Sequence, residues 1–240
     1  MRWKYAVAAA VVLIVGTLVL SNFMKERWQQ QQTVYGQRKK ITLPDGSLVI
    51  LNSHSEIRYK NNWLENMNRE IWLEGEAYFD VVHTNSNSKF TVHLSDKSQI
   101  AVMGTVFNVH QGHLENDVVL EKGKIQWSSA TGKVIPMAPG EKIQYKLSGE
   151  IINKYAVNAL NYSSWTRGVI NVDSMTLKDV TLLLEEQYGW TFRFTSDKLS
   201  DQRIWGSLPL DDPRLLLEAL EQVADTKISK YNNEMVISSR

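Results

Sequence analysis

EIWLEGEAYFDV, residues 70–81, is the stretch that decides the fold of this chain. Apolar and polar side chains alternate on both sides of Gly75, a period of two that is typical of strands with one buried face. Glycine also tolerates the backbone conformations of tight turns, where a Cβ would clash. We therefore predict two strands, Glu70–Glu74 and Ala77–Val82, that flank a turn at Gly75.

The same pattern extends in both directions, from Ile41 to Ile152. Short alternating segments are separated by turn residues every eight to twelve positions or so. Asp45-Gly46 is one strong turn signal, because both residues tolerate positive φ. This spacing predicts an all-β domain over residues 41–152, built as a sandwich, a barrel or a β-solenoid.

The periodicity changes after a connector at residues 153–166. Gly168–Val172 predicts a strand, and Asp173-Ser174 predicts the N-cap of a helix, since a short side-chain oxygen can accept from the first free N–H groups. Apolar residues at spacings of three and four then form one helical face that ends at Gly189. These residues are Leu177, Val180, Leu184 and Tyr188.

A second unit of the same kind follows. We predict strands at residues 190–194 and 203–208 and a closing hairpin at residues 227–238. We also predict that a capped helix begins at Asp212-Pro213. The two units together predict a split βαβ domain over residues 167–240. The expected fold class is therefore mainly β plus α+β.

The N-terminal 24 residues predict a single membrane helix. Tyr5–Met24 carries no charge, and a helix of about 20 residues spans the roughly 30 Å of a bilayer's hydrocarbon core. A cleaved signal peptide is the alternative, but Ser21–Glu26 lacks a small-residue cleavage site. We expect an uncleaved anchor with a cytoplasmic N-terminus, by the positive-inside rule, and a polar stalk at residues 25–40.

Composition excludes several classes of function. The formal net charge is +1 over 240 residues, with basic residues interspersed among acidic ones, so nucleic-acid binding is not expected. The sequence contains no cysteine, no glycine-rich phosphate loop and no G-x-S-x-G nucleophile elbow. Nothing in it requires a cofactor.

Two groups of side chains have the residue types of a catalytic or metal site. Glu74 and Glu76 would share a face of one strand and, with Asp80, would resemble the carboxylates of a glycosidase. No opposing acid at a defined distance is evident, however. His110 and His113 could supply two metal ligands, but a third is not evident. We expect neither catalysis nor a metal site.

Five phrases of the β region, in this order and spacing, resemble the FecR family of bacterial envelope signalling proteins. They are Leu43–Ser47 with Leu51–Ser53, Leu73–Val81, Met103–Val109, Leu120–Lys124 and Pro139–Glu141. The C-terminal unit, with Trp165, Gly168 and Trp205-Gly206, resembles the domain that closes Bacteroidetes-type members. That domain is similar to the STN signalling domain of secretins and TonB-dependent receptors.

The resemblance implies a regulator that is not an enzyme. Members of the family lie in the inner membrane with the β domain in the periplasm. Their C-terminal part binds the signalling domain of a TonB-dependent outer-membrane transporter. The signal then crosses the membrane to an extracytoplasmic-function (ECF) sigma factor, for which the protein acts as an anti-sigma factor.

A βαβ domain can bind such a partner by strand addition at a sheet edge. We predict Glu234–Ser238 and Arg203–Leu208 as the candidate edges. Trp190, Trp205 and Tyr231 are the candidate partner-binding side chains, and the hydrophobic core is the competing location for each of them.

The chain departs from the family pattern at its start. Family members commonly carry a cytoplasmic helical segment that grips the sigma factor, whereas only Met1–Lys4 precede the predicted anchor here. We expect that the true start lies upstream. The alternative is a membrane-anchored periplasmic binding or scaffold protein that makes no direct contact with a sigma factor.

Overall fold

The computed structural model describes residues 3, 13–16, 28–63, 69–112, 115–146, 148, 150–232 and 234–240. Most of the predicted membrane helix, Tyr5–Met24, lies outside these residues, and so does His113. Within the described part of the chain, no helix has both the length and the apolar character needed to cross a bilayer.

Two seven-stranded sheets form a β-sandwich. Its strands are β1 (Trp28–Gln32), β2 (Lys39–Thr42), β3 (Leu48–Leu51), β4 (Glu56–Lys60), β5 (Arg69–Glu74), β6 (Glu76–Asp80), β7 (Phe90–Leu94), β8 (Gln99–Val102), β9 (Val106–Gln111), β10 (Glu115–Lys122), β11 (Ile125–Ser128), β12 (Val134–Met137), β13 (Glu141–Lys146) and β14 (Ile151–Ala156). Sheet A has the order β1-β4-β5-β7-β8-β11-β12, and sheet B has the order β14-β13-β10-β9-β6-β3-β2. Neighbouring strands are antiparallel except β5 and β7.

Residues 70–81 connect the two sheets as their alternation predicts. Ile71 and Leu73 of β5, and Ala77 and Phe79 of β6, are all buried in the core between the sheets. Gly75 has a φ of 90°, and a Cβ there would lie 2.4 Å from the hydroxyl oxygen of Ser55. The prediction of a glycine turn is confirmed, and of the three predicted architectures the sandwich is correct.

A buried arginine ties the turn at Asp45 to the sandwich. The side chain of Arg69 is 2% exposed, and it donates to the Asp45 carboxylate at 2.5 Å. It also donates to the carbonyls of Val82, Ser88 and Met103 at 2.9, 2.8 and 3.1 Å. Four hydrogen bonds therefore compensate for the burial of this charge.

The predicted stalk at residues 25–40 is wrong for Trp28–Gln32, which form the edge strand β1. Each residue of β1 pairs with one of β4, and the Trp28 ring packs edge-on against Trp72 at 4.9 Å. An edge strand with partly exposed side chains needs no apolar alternation. A run of glutamines can therefore form such a strand without a hydrophobic pattern that the sequence would display.

The C-terminal domain follows the sandwich. Its elements are α1 (Ala159–Tyr162), a 3₁₀ helix (Ser164–Arg167), β15 (Val169–Asn171), β16 (Met175–Thr176), α2 (Leu177–Tyr188), β17 (Thr191–Phe194), α3 (Asp197–Ser200), β18 (Arg203–Ile204), β19 (Ser207–Pro209), α4 (Pro213–Ala224), β20 (Thr226–Tyr231) and β21 (Glu234–Ser239). β15 pairs with β19 and β16 pairs with β18, whereas β17, β21 and β20 form a three-stranded sheet in that order. The fold class, mainly β plus α+β, is confirmed.

The two long helices begin at different kinds of cap. Asp212 accepts hydrogen bonds from the first N–H groups of α4, with Pro213 at the first helical position, so the predicted start of α4 is confirmed. The predicted cap of α2 at Asp173-Ser174 is wrong, because Thr176 and Asp179 form a capping box there instead.

The C-terminal domain packs on the outer face of sheet B. Ile50 of β3 and Tyr78 of β6 contact its apolar core. Arg38 binds the Trp165 carbonyl and the Asp211 carboxylate from the other side of the junction. Sheet B is thus covered on both faces.

Candidate functional site

A stripe of polar residues crosses the outer face of sheet B beneath the C-terminal domain. Strand alternation explains its position, since each member neighbours core residues along its own strand, except one that directly follows β3. In β6, β9 and β10, Glu76 lies opposite His110, and His110 lies opposite Asp117. We call this set the interdomain stripe: Asn52, Glu76, Asn108, His110, Asp117 and Lys142.

Polar contacts join neighbouring residues at both ends of the stripe. Glu76 accepts from the amide groups of Asn52 at 2.6 Å and Asn108 at 2.9 Å. At the other end, the ammonium of Lys142 lies 2.8 Å from a carboxylate oxygen of Asp117. The same oxygen lies 4.0 Å from Nδ1 of His110.

Helix α2 places its C-terminal turn over this stripe. Nε2 of His110 lies 2.8 Å from a carboxylate oxygen of Glu186. The adjacent carbonyl of Gln187 accepts from the Gly36 N–H at 2.8 Å and from the Ser53 hydroxyl at 2.5 Å. The domain junction thus has an ionic contact and a backbone contact side by side.

Burial and charge shift the protonation equilibria of the stripe. Burial raises the pKa of Glu76, although His110 and the two asparagine donors partly offset this rise. Burial alone would lower the pKa of His110, but the hydrogen bond to Glu186 and the charges of Glu76, Glu186 and Asp117 raise it to about 9. His110 therefore carries a proton at neutral pH.

A cavity of about 1070 Å³ lies along the stripe, between the two domains. The sandwich contributes Tyr35, Glu76 and His110 to its walls, and the C-terminal domain contributes Tyr162 and Glu186. Its size is that of a pocket for a small organic molecule.

The glycosidase-like carboxylates do not share a face as the sequence pattern suggests. Gly75 separates Glu74, at the end of β5 in sheet A, from Glu76, at the start of β6 in sheet B. Asp80 lies at the far end of β6 and is exposed. The period-two argument is wrong here because the chain changes sheets between the two glutamates.

The histidines occupy no metal centre in the described residues, where no three potential ligands are arranged to hold an ion. His110 is instead the centre of the domain contact. Sequence reasoning missed this role and also that of Lys142. The available signal was the alternation of His110 and Asp117 with core residues, which marks outward-facing polar positions on adjacent strands.

The three candidate partner-binding side chains have different environments. Trp190 packs against the C-terminal core and stacks on Tyr188 at 4.3 Å. Trp205, between β18 and β19, is 60% exposed, and Tyr231, at the end of β20, is 64% exposed. The structure does not bring these three residues together with the interdomain stripe.

The predicted sheet edges need correction. β21 contains the predicted edge Glu234–Ser238, but it lies between β17 and β20 and pairs with both. The predicted single strand Arg203–Leu208 is divided into β18 and β19, which pair with different partners. The outer strands of the three-stranded sheet are β17 and β20.

A comparison with protein families finds a match to the sandwich part of the chain. The family model described as "FecR protein" matches residues 29–126, which include most of the sandwich and five of the six stripe residues, from Asn52 to Asp117. No curated protein matches the chain.

Two solved structures have a similar fold. They are crystal structures of a putative anti-sigma factor from Parabacteroides distasonis, at 2.50 and 1.65 Å resolution. The TM-scores are 0.74 and 0.73, and each is 24% identical to this chain. The matches cover 89% and 88% of this chain and 100% and 99% of theirs, so the sandwich and the C-terminal domain recur together in another protein.

Proposed function

We propose that this chain is a FecR-type, non-enzymatic regulator, an anti-sigma factor that senses a signal outside the cytoplasm. The match of residues 29–126 to the FecR family model supports this proposal. The similar fold of a protein described as a putative anti-sigma factor supports this proposal.

The proposed arrangement follows from the sequence pattern. Residues 1–24 anchor the chain in the inner membrane, with the sandwich and the C-terminal domain in the periplasm. The regulated partner is an ECF sigma factor, which a cytoplasmic segment would contact. The runner-up is an anchored periplasmic scaffold with no sigma-factor contact.

The proposed periplasmic partner is the signalling domain of a TonB-dependent outer-membrane transporter. The observation that carries this proposal is the exposure of two aromatic side chains in the C-terminal domain. Trp205 and Tyr231 are mostly exposed, and Tyr231 lies at the end of the outer strand β20. Strand addition along β20 would supply main-chain hydrogen bonds, and the two aromatic side chains would supply specificity.

Replacement of Trp205 by Asp in the full chain tests this partner surface. We expect the dissociation constant for the transporter's signalling domain to rise at least tenfold in calorimetry, because an exposed aromatic anchor is replaced by a charge. The matched control is Trp28→Asp, since Trp28 is 55% exposed but lies on the sandwich. Unchanged affinity in a folded Trp205→Asp protein would contradict the proposal.

A further inference from the structure

We propose that the end of the sandwich at which β1 begins rests on the headgroups of an anionic phospholipid bilayer. The proposal depends on the membrane anchor of the proposed function and goes beyond it, because it assigns a lipid-binding surface and an orientation to the sandwich. We call this surface the basal end, and its exposed side chains are Trp28, Val82, Lys89, Met103, Lys122 and Lys124.

Strand register places the start of β1 at the same end of the sandwich as the starts of β5 and β7. Trp28 pairs with Lys60, the last residue of the antiparallel strand β4. Strand β5 is antiparallel to β4 and parallel to β7, so Arg69 and Phe90 begin their strands at this end. Lys89, which precedes Phe90, therefore lies at the end of the sandwich where the chain enters β1.

Two further loops meet at the basal end. The Arg69 guanidinium donates to the carbonyls of Val82 and Met103 at 2.9 and 3.1 Å. Gly104 follows Met103, and a Cβ at Gly123 would lie 2.7 Å from the Gly104 carbonyl oxygen. The two lysines that flank Gly123 in the sequence therefore lie beside the Met103 loop.

The chain reaches the basal end directly from the predicted anchor. Only residues 25, 26 and 27 separate Met24, the last residue of that segment, from Trp28. An extended chain covers at most about 3.6 Å per residue, so Trp28 lies within roughly 14 Å of the end of the anchor. The headgroup region on each side of a bilayer is about 5–8 Å thick. The anchor therefore holds the basal end beside the headgroups.

The basal end exposes apolar side chains that suit a headgroup layer. Trp28, Met103 and Val82 are 55%, 51% and 44% exposed. Tryptophan is enriched at membrane interfaces because its ring is amphipathic. Contact with the bilayer would remove part of this apolar surface from water, and such burial contributes to binding at a membrane surface.

The charge of the basal end favours anionic lipid. Three exposed lysines surround the apolar side chains: Lys89, Lys122 and Lys124. The carboxylates of Glu70 and Asp80 offset part of this charge, whereas Glu121 faces Tyr78 beneath the C-terminal domain. Anionic headgroups attract the remaining positive charge over about one Debye length, roughly 8 Å at physiological salt.

Site-specific labelling of the full chain tests this orientation, since the sequence contains no cysteine. Met103→Cys and Val134→Cys each receive a fluorophore, in nanodiscs that contain phosphatidylglycerol and a lipid with a quencher on its headgroup. Val134 is the matched control, because it is 55% exposed and aligns with Gln99 at the opposite end of sheet A. We expect about threefold stronger quenching at Met103 than at Val134.

Charge reversal tests the role of the lysines. Lys89→Glu combined with Lys124→Glu should reduce the quenching at Met103 about twofold, and so should replacement of phosphatidylglycerol by phosphatidylcholine. The matched control combines Lys97→Glu with Lys133→Glu, two exposed lysines in turns at the opposite end of sheet A. This control should leave the quenching at Met103 unchanged.

The outcomes separate failure of the docking from failure of the anchor. A chain that does not enter nanodiscs has no anchor, and both the proposed arrangement and the docking are then overturned. A chain that enters nanodiscs but shows equal quenching at Met103 and Val134 keeps the anchor and overturns the docking. Quenching at Met103 that responds neither to lipid charge nor to reversal of the basal lysines would overturn the preference for anionic lipid.

Discussion

Two charge clusters in this molecule have the same chemistry but differ in burial and position. Arg69 and Asp45 pair inside the sandwich, with side chains 2% and 6% exposed. His110 and Glu186 pair across the domain junction, with side chains 22% and 26% exposed. Both pairs join an acid to a base, and further partners surround each of them.

The difference lies in what each pair joins. Arg69 connects a turn, two loops and a strand of one sandwich, so its contacts are lost only when that core opens. His110 lies on the sandwich and Glu186 on the C-terminal domain, and each domain has its own apolar core. We expect loss of their contact to loosen the junction, where Ile50 and Tyr78 pack on the C-terminal core, before either core unfolds. The first cluster specifies the fold, whereas the second is expected to control the docking of the two domains.

The largest effect is expected when the sandwich cluster is broken. Arg69→Ala should lower the free energy of unfolding by about 3–5 kcal/mol, because it leaves Asp45 buried without its counter-charge. Urea denaturation measures this loss. The control is Arg58→Ala, since the Arg58 side chain is 56% exposed and an exposed pair contributes less than about 1 kcal/mol. Similar losses in Arg69→Ala and Arg58→Ala would show that the buried pair contributes no more to stability than the exposed pair.

The dependence of the free energy of unfolding on pH tests the contribution of the pair His110–Glu186. The pKa of His110 is raised to about 9 in the folded protein, above the ordinary value near 6.5. The folded state thus binds a proton that the unfolded state has released. This contribution is complete below about pH 6.5 and is lost as the pH rises through 9.

We expect stability to fall by up to about 3 kcal/mol between pH 6.5 and 9.5. Urea denaturation at fixed ionic strength measures the free energy of unfolding of the parent chain and of His110→Gln at each pH. The difference between the two pH profiles is the contribution of His110. Glu76, Asp117, Glu186 and Lys142 remain in both proteins. Parallel profiles would mean that His110 does not hold the junction.

The sequence predicted best where local rules decide the structure. Alternation on both sides of Gly75 predicted two strands and their turn, and Asp212-Pro213 predicted the start of α4. It failed where tertiary contacts decide. Strand β1 depends on pairing with β4, and the separation of Glu74 from Glu76 depends on which sheet each strand joins.

The candidate site was visible only in part. Polar positions such as His110 and Asp117 can be assigned to an outer strand face from alternation alone. Their partner Glu186 lies 76 residues from His110 along the chain, and it reaches the stripe only because α2 docks on sheet B. No periodicity encodes that docking, so the junction and its cavity could not be predicted.

The smallest effect is expected from Glu186→Gln, which removes the charge that faces His110 but keeps a hydrogen-bonding side chain. A loss of about 1–2 kcal/mol at the junction is typical of a charge-assisted hydrogen bond. The predicted connector at residues 153–166 is wrong for its first four residues, which belong to β14. Limited proteolysis should cleave the segment that joins β14 to β15, residues 157–168, about tenfold faster. Glu218→Gln, at an exposed residue of α4 that pairs with Arg214, should leave the rate of cleavage unchanged.

We expect the C-terminal domain to separate from an intact sandwich when the contact between His110 and Glu186 is lost. Amide hydrogen exchange tests it directly. The Gly36 N–H donates to the Gln187 carbonyl across the junction and to the Ser53 hydroxyl, which itself donates to that carbonyl. The Arg69 N–H donates to the Lys89 carbonyl within the sandwich. Between pH 6.5 and 9, the protection factor of Gly36 should fall at least tenfold while that of Arg69 stays constant. A parallel fall at both amides would contradict the claim, since the two domains would then open only by unfolding together.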